Sequence, residues 1–124
     1  MRRSDQRRAA VFALYQEQVT GKPLEELLSD SKPFTRELAE GVAANRDELN
    51  AEISRLARGW SLERIAPLER SILQTALFEL RHRNDVPTEV ALDEAVGLAK
   101  RYCGTDAPKF VNGILGAAAR EGVA

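Results

Sequence analysis

Apolar residues recur at spacings of three and four along most of this chain, and glycine or proline separates one such run from the next. The longest run covers residues 34–58, where Leu38, Val42, Leu49 and Ile53 share one face of a helix. Alanine occurs 18 times and leucine 15 times, whereas valine, isoleucine and threonine together occur 17 times, a balance that favours helices over strands. The sequence therefore predicts an all-α protein of six or seven helices.

Glycine and proline also define the expected limits of these helices. The first helix is expected to stop at Gly21, where a left-handed conformation costs glycine nothing. Residues 34–58 are expected to form one long helix that bends near Gly41 or Asn45. Pro67 suits the first position of the next helix, because the missing N–H is not needed there.

A chain of 124 residues has room for one compact domain with a core of its own. A boundary near residue 59 predicts two small helical subdomains, at about 1–59 and 60–124, that share a continuous core. A single cysteine excludes an internal disulfide, and with one histidine it leaves few metal ligands, so we expect neither metal nor cofactor. No apolar stretch approaches the roughly 20 residues that cross a membrane, which predicts a cytoplasmic protein.

No arrangement of side chains typical of an enzyme occurs in the sequence. A nucleophilic dyad would have to join His82 and Cys103, yet His82 is flanked by arginines at a helix end and Cys103 falls on an apolar stripe. A glycine-rich phosphate loop is also missing. We therefore expect a protein that is not an enzyme.

The first eight residues carry a local charge of +3, although the whole chain has a formal charge of −1. Arg2, Arg3, Arg7 and Arg8 are opposed there by Asp5 alone. Guanidinium groups contact phosphates through two hydrogen bonds and stack on unpaired bases, which favours binding of single-stranded RNA. A solvated, frayed terminus would show the same pattern, and the residues alone leave both interpretations open.

The predicted last helix, capped by Asp106, has an unusual outer face. Lys109, Gly113 and Gly116 lie on it, opposite an apolar stripe that includes Phe110. Glycine costs about 1 kcal/mol relative to alanine inside a helix, so two on one face indicate a close approach to the backbone. A nucleic-acid strand, a partner helix or another helix of the same chain would each account for them.

Glu69 and Trp60 are two further unusual residues. Glu69 lies in the first turn of its helix, where an acid is favourable, but it projects in line with the apolar residues Leu73 and Leu80. It is consistent with the polar rim of a partner surface. Trp60, beside a helix end, is either an exposed anchor or packed on the core.

Five sequence blocks carry a family resemblance: residues 7–15, 34–38 with 41–42, 68–73 with 76–80, 85–87 with 91–95, and 109–115. Together they resemble the family of the transcription antitermination factor NusB. They cover nearly the whole chain in the expected order, and together they are specific although each alone is weak.

The resemblance implies an RNA-binding adaptor built from two helical subdomains. Members of the family bind the boxA segment of nascent RNA jointly with NusE, a small-subunit ribosomal protein. The complex joins the RNA polymerase elongation complex and suppresses termination, chiefly in ribosomal RNA operons. The implied NusE-binding residues are Tyr15, Glu63 and Glu69. The implied RNA-binding residues are Arg2, Arg3, Arg7, Arg8, Asp106, Lys109 and Phe110.

Two other classes of protein remain open at this point. Some ribosomal RNA methyltransferases begin with a NusB-like domain, so the chain could be the RNA-binding accessory domain of such an enzyme. That reading requires a cofactor-binding α/β domain downstream. A structural helical homodimer with a buried N-terminal arm is the other alternative. It predicts stable self-association that does not respond to RNA.

Overall fold

The computed structural model describes residues 1–122, and over that range the chain forms seven α-helices and no β-strand. The all-α prediction is confirmed; residues 123–124, at the end of the predicted second subdomain, lie outside the described range. Among the described helices, none is long and apolar enough to cross a membrane. The helices are α1 (Arg3–Thr20), α2 (Leu24–Leu27), α3 (Pro33–Ala44), α4 (Arg46–Leu56), α5 (Pro67–His82), α6 (Thr88–Tyr102) and α7 (Ala107–Glu121), with a 3-10 turn at Leu62–Arg64.

Helix α5 lies at the centre of the fold and packs against α1, α3, α4, α6 and α7. Nine consecutive residues from Ser71 to Glu79 are buried, so the helix is enclosed on every side. The sequence predicted a single apolar face with Leu73 and Leu80 on this helix, and not a helix that is buried all round. Because helices from both halves of the chain pack on α5, the described residues share one core. The division into subdomains near residue 59 stays a prediction.

Local signals placed most helix limits correctly. Gly21 ends α1 with a φ of 77°, and Pro67 opens α5 as predicted. The prediction of one continuous helix over 34–58 is wrong, because the chain forms two helices there, α3 and α4, which are separated by Asn45. The Asn45 side-chain amide donates a hydrogen bond to the carbonyl oxygen of Gly41 (2.8 Å), which caps the end of α3 before α4 begins.

The glycines of α7 do not mark a close approach between helices of the described chain. A β carbon at Gly113 would meet nothing within 4 Å, and one at Gly116 would meet only the Arg120 side chain at 3.4 Å. The close approach is instead at Gly41 on α3, where a β carbon would overlap the ring of Phe78 on α5. Packing within the chain therefore explains Gly41 and leaves the outer face of α7 open.

Candidate nucleic-acid interface

The N-terminal arginines predicted to bind RNA form ion pairs within the protein. The Arg3 guanidinium lies 2.8 Å from the Asp85 carboxylate, and that of Arg8 lies 3.1 Å from Asp5. Arg2 lies 3.6 Å from the same Asp5. All three side chains still reach the surface, but their charge is partly neutralised before any RNA arrives.

Phe34 and Asp85 hold this N-terminal segment against the rest of the fold. The Phe34 ring has the guanidinium groups of Arg3 at 4.3 Å and Arg83 at 5.2 Å from its centroid. Hydrogen bonds from Arg83 and then from Arg3 hold the pKa of the Asp85 carboxyl well below its usual range. Helix α1 already begins at Arg3, so the N-terminal segment is part of the folded structure instead of a frayed end.

Arg7 departs from the expectation of an RNA contact because it is buried, with 4% of its side chain exposed. Its Nε and Nη2 donate to the two carboxylate oxygens of Glu79 at 2.8 and 2.7 Å, and Nη1 donates to Glu94 at 3.0 Å. Burial acts to lower the pKa of Arg7, but the hydrogen bond and charge of Glu79 outweigh it and leave that pKa raised. The structure thus gives Arg7 an internal role, the neutralisation of a carboxylate buried in α5.

Glu69, Asp106 and Phe110 come together at the opposite end of α5. They line a groove of about 360 Å³, which we call the acidic groove, together with Trp60 and Arg64. Asp106 precedes α7 but its side chain makes no capping hydrogen bond, and burial raises the pKa of the Glu69 carboxyl. A residue predicted to bind a protein and two predicted to bind RNA therefore share one groove.

Cys103 provides a chemical probe of the charge on Glu69. Burial raises the pKa of its thiol, and the negative charge of Glu69 raises it further. Because the thiolate is the reactive form, we expect slow modification by a disulfide reagent at pH 8 and faster modification after Glu69→Gln. Stopped-flow absorbance with Ellman's reagent measures both rates. Equal rates in the two proteins would show that Glu69 does not act on the thiol.

A second groove, of about 260 Å³, lies on the other side of Trp60 and Phe110; we call it the basic groove. The two rings meet edge to face with centroids 5.9 Å apart and form the ridge between the grooves. Lys109 and Arg58 line the basic groove together with the open backbone of Gly113. Phe110 is only half-buried, which corrects its placement on the buried stripe of α7.

Tyr15 and Glu63 lie at the same end of the fold as Glu69. The Gln18 amide, on α1 just after Tyr15, donates to the Ser71 hydroxyl at 2.6 Å, so this part of α1 runs beside the start of α5. Tyr15 is half-buried, and Glu63 is exposed in the turn that leads into α5. The three predicted NusE-binding residues are thus compatible with one surface.

The predicted RNA-binding residues fall into two groups along α5. Arg7 contacts Glu79, whereas Phe110 and Asp106 lie beside Glu69. These two glutamates are ten positions apart in the helix, which corresponds to about 15 Å along the axis. The sequence left Trp60 open as an exposed anchor or a core residue, and it assigned neither Arg58 nor Arg64 to a site. Only the tryptophan carried a usable signal, as a large apolar ring in a glycine-containing turn.

The fold and these grooves define a class of protein: an all-α binding module with exposed aromatic and basic side chains. The sequence profile of the NusB family matches residues 4–120. A transcription antitermination protein NusB of Rubrobacter xylanophilus is 41% identical over 122 residues, which cover 93% of this chain and 88% of that protein. The chain belongs to the NusB family.

Further comparisons agree with this assignment. The NusB of Heliobacterium modesticaldum is 49% identical over 88 residues, 71% of this chain, and the match spans 43% of that protein's length. The solved structure of T. maritima NusB matches with a TM-score of 0.91 at 34% identity. The match covers 98% of this chain and 92% of the T. maritima chain. The fold also recurs in a chain of the crystal structure of antitermination factors NusB and NusE in complex with dsRNA. That match has a TM-score of 0.83 at 23% identity and covers 98% of this chain and 99% of the other.

Proposed function

We propose that this protein is an RNA-binding transcription antitermination factor. It binds the boxA RNA of ribosomal RNA operons together with NusE and helps RNA polymerase to suppress termination. It acts in the cytoplasm as an adaptor and not as an enzyme. The observation that carries the proposal is the start of α7, where Lys109 and Phe110 lie beside the groove that holds Glu69.

This arrangement accounts for joint binding of an RNA and a protein. The aromatic ridge separates a groove with cationic side chains from one that contains Glu69 and Asp106. An RNA in the first and a protein beside the second would lie within reach of each other. Two weak surfaces that engage one RNA gain affinity through effective concentration, even without new contacts.

The two alternatives are not favoured. Relatives at 41 and 49% identity are transcription antitermination proteins, which argues against an origin as a methyltransferase accessory domain. A homodimer that buries the N-terminal arm would gain little stability from new ion pairs, because Arg3 and Arg7 already pair with acidic residues of the same chain. The proposal therefore remains an adaptor surface that recognises RNA and NusE.

Fluorescence anisotropy of labelled boxA RNA tests the proposed function. We expect binding that exceeds that of a scrambled RNA, tightens when NusE is added and weakens as salt rises, because phosphate contacts release counterions. Lys109→Gln is expected to reduce the slope of log affinity against log salt by about 0.7, the value of one contact to a single strand. Lys22→Gln, at an exposed lysine between α1 and α2, is the matched control.

Glu69→Gln separates the protein contact from the RNA contact. We expect it to leave binding to RNA alone unchanged and to reduce the gain from NusE at least about fivefold, as for an interface residue worth about 1 kcal/mol. Equal affinity for boxA and scrambled RNA, with NusE present, would overturn the proposed function. Concentration-independent sedimentation of the free protein would argue further against the homodimer.

A further inference from the structure

We propose that Trp60 is a stacking platform for an unpaired RNA base and that Arg58 and Lys109 bind the phosphates on either side of that base. This inference rests on the proposed function, since it identifies where on the protein the RNA lies. It assigns the basic groove to RNA and moves the main contact away from the N-terminal arginines.

The Trp60 ring is exposed and yet held in place. Half of its surface (51%) is accessible, which is unusual for the one tryptophan of the chain. Its backbone N–H donates to the carbonyl oxygen of Ala57 at 2.9 Å, and Gly59 before it adopts a φ of 80° that closes this turn. Phe110 supports the ring from one side. A fixed ring with an accessible side loses little entropy when a base stacks on it.

The charges around the ring favour a polyanion on one side of it. Two cationic side chains, Arg58 and Lys109, line the basic groove, and no acidic residue of the described chain joins them there. Within residues 1–122, neither cation forms an ion pair, in contrast to all four N-terminal arginines. Their full charge is therefore available for phosphates.

The shape of the groove also suits a nucleic-acid strand. Gly113 has no side chain, and a β carbon placed there would meet nothing within 4 Å. A strand can therefore lie against the backbone of α7 beside Lys109. Alternating aromatic and cationic groups are the usual means of holding single strands, because bases stack while phosphates pair with cations. An apolar protein segment would gain from the ring but not from the two unpaired charges.

Intrinsic fluorescence tests the inference directly, because Trp60 is the sole tryptophan. We expect boxA RNA to quench this emission along the same isotherm that anisotropy reports. Heparin, a polyanion without bases, is expected to bind with little quenching. If NusE alone changes the emission and RNA does not, the groove is a protein contact and the inference is wrong.

Substitutions separate stacking from charge. Trp60→Ala is expected to weaken RNA binding about 5- to 150-fold, the range for loss of one stacked base, and Trp60→Phe less. Arg58→Gln is expected to lower the salt slope by about 0.7. Val90→Ala, at an exposed apolar residue of α6, is the control for simple loss of surface area, and circular dichroism melting checks the fold of each variant.

The outcomes also distinguish this inference from the proposed function. Specific boxA binding without quenching, and with unchanged affinity in Trp60→Ala, would overturn the stacking site but leave the antitermination function standing. Equal affinity for boxA and scrambled RNA with NusE present would overturn both. Quenching by boxA together with weaker binding in Trp60→Ala supports both.

Discussion

Replacing Arg7 with alanine is expected to lower the free energy of unfolding by about 3–5 kcal/mol, the usual result of removing one partner from a buried ion pair. The substitution leaves the Glu79 carboxylate inside the protein, where its side chain has no exposed surface and its two hydrogen bonds at 2.8 and 2.7 Å are lost. Urea unfolding followed by circular dichroism measures the change. For a domain whose whole stability is about 5–15 kcal/mol, this is a large fraction.

Arg8→Ala is the matched control for this experiment. Arg8 is adjacent in sequence, and its pair with Asp5 is partly exposed, with 37% of the Arg8 side chain and 26% of the Asp5 side chain accessible. Surface ion pairs contribute about 0–1 kcal/mol, so this variant should unfold close to the parent. Similar losses in the two variants would show that burial of the Arg7–Glu79 pair does not matter for stability. A double variant, Arg7→Met with Glu79→Met, should recover much of the loss, since it leaves no unpaired charge in α5.

This prediction also affects how RNA-binding data for Arg7 variants are interpreted. The Arg7 guanidinium is not free to contact a phosphate. A loss of RNA binding in Arg7→Ala would therefore follow from partial unfolding of the protein, and not from the loss of a contact with RNA. Binding assays on this residue therefore need a stability measurement at the same temperature. Lys109 is better suited to test phosphate contact, because it is exposed and supports no buried charge.

Gly41→Ala is expected to destabilise the protein by about 1–3 kcal/mol, the range for overpacking of a core. The new β carbon would lie 2.5 and 2.7 Å from the Cε1 and Cε2 atoms of Phe78, and it would be closest to Cζ. Phe78 is itself buried, so its ring has little room to move. Alanine gains up to about 1 kcal/mol in helix propensity, which offsets only part of this cost. Thermal and urea unfolding measure the net effect.

Gly97→Ala is the control, and we expect it to have the opposite effect on the free energy of unfolding. Gly97 lies inside α6, and a β carbon there would meet nothing within 4 Å, so the substitution should stabilise by about 0.5–1 kcal/mol. The double variant Gly41→Ala with Phe78→Leu should be more stable than the sum of the two single changes predicts, because the smaller side chain makes room. A stabilising Gly41→Ala would contradict the close approach of α3 and α5.

The sequence was most informative where the physics is local. Gly21 and Pro67 set helix ends through their own backbone preferences, and the helical spacing of apolar residues was sufficient for the all-α assignment. Asn45 was recognised only as a possible bend, because its capping hydrogen bond to Gly41 depends on the final path of the chain. The family resemblance supplied the candidate residues, but it could not show which of them are paired or buried.

Periodicity, turn residues and composition thus determined by themselves the helical class and the approximate helices, and the five sequence blocks indicated the family through their resemblance to its members. The tertiary structure alone decided which charged side chains are paired or buried and which aromatic rings are exposed, because these properties depend on residues far away in sequence. The sequence favoured a surface position for Arg7, but the fold places its side chain against Glu79 of α5, which is 72 positions away. Trp60 and Phe110 became a ridge only when the turn before α5 met the start of α7.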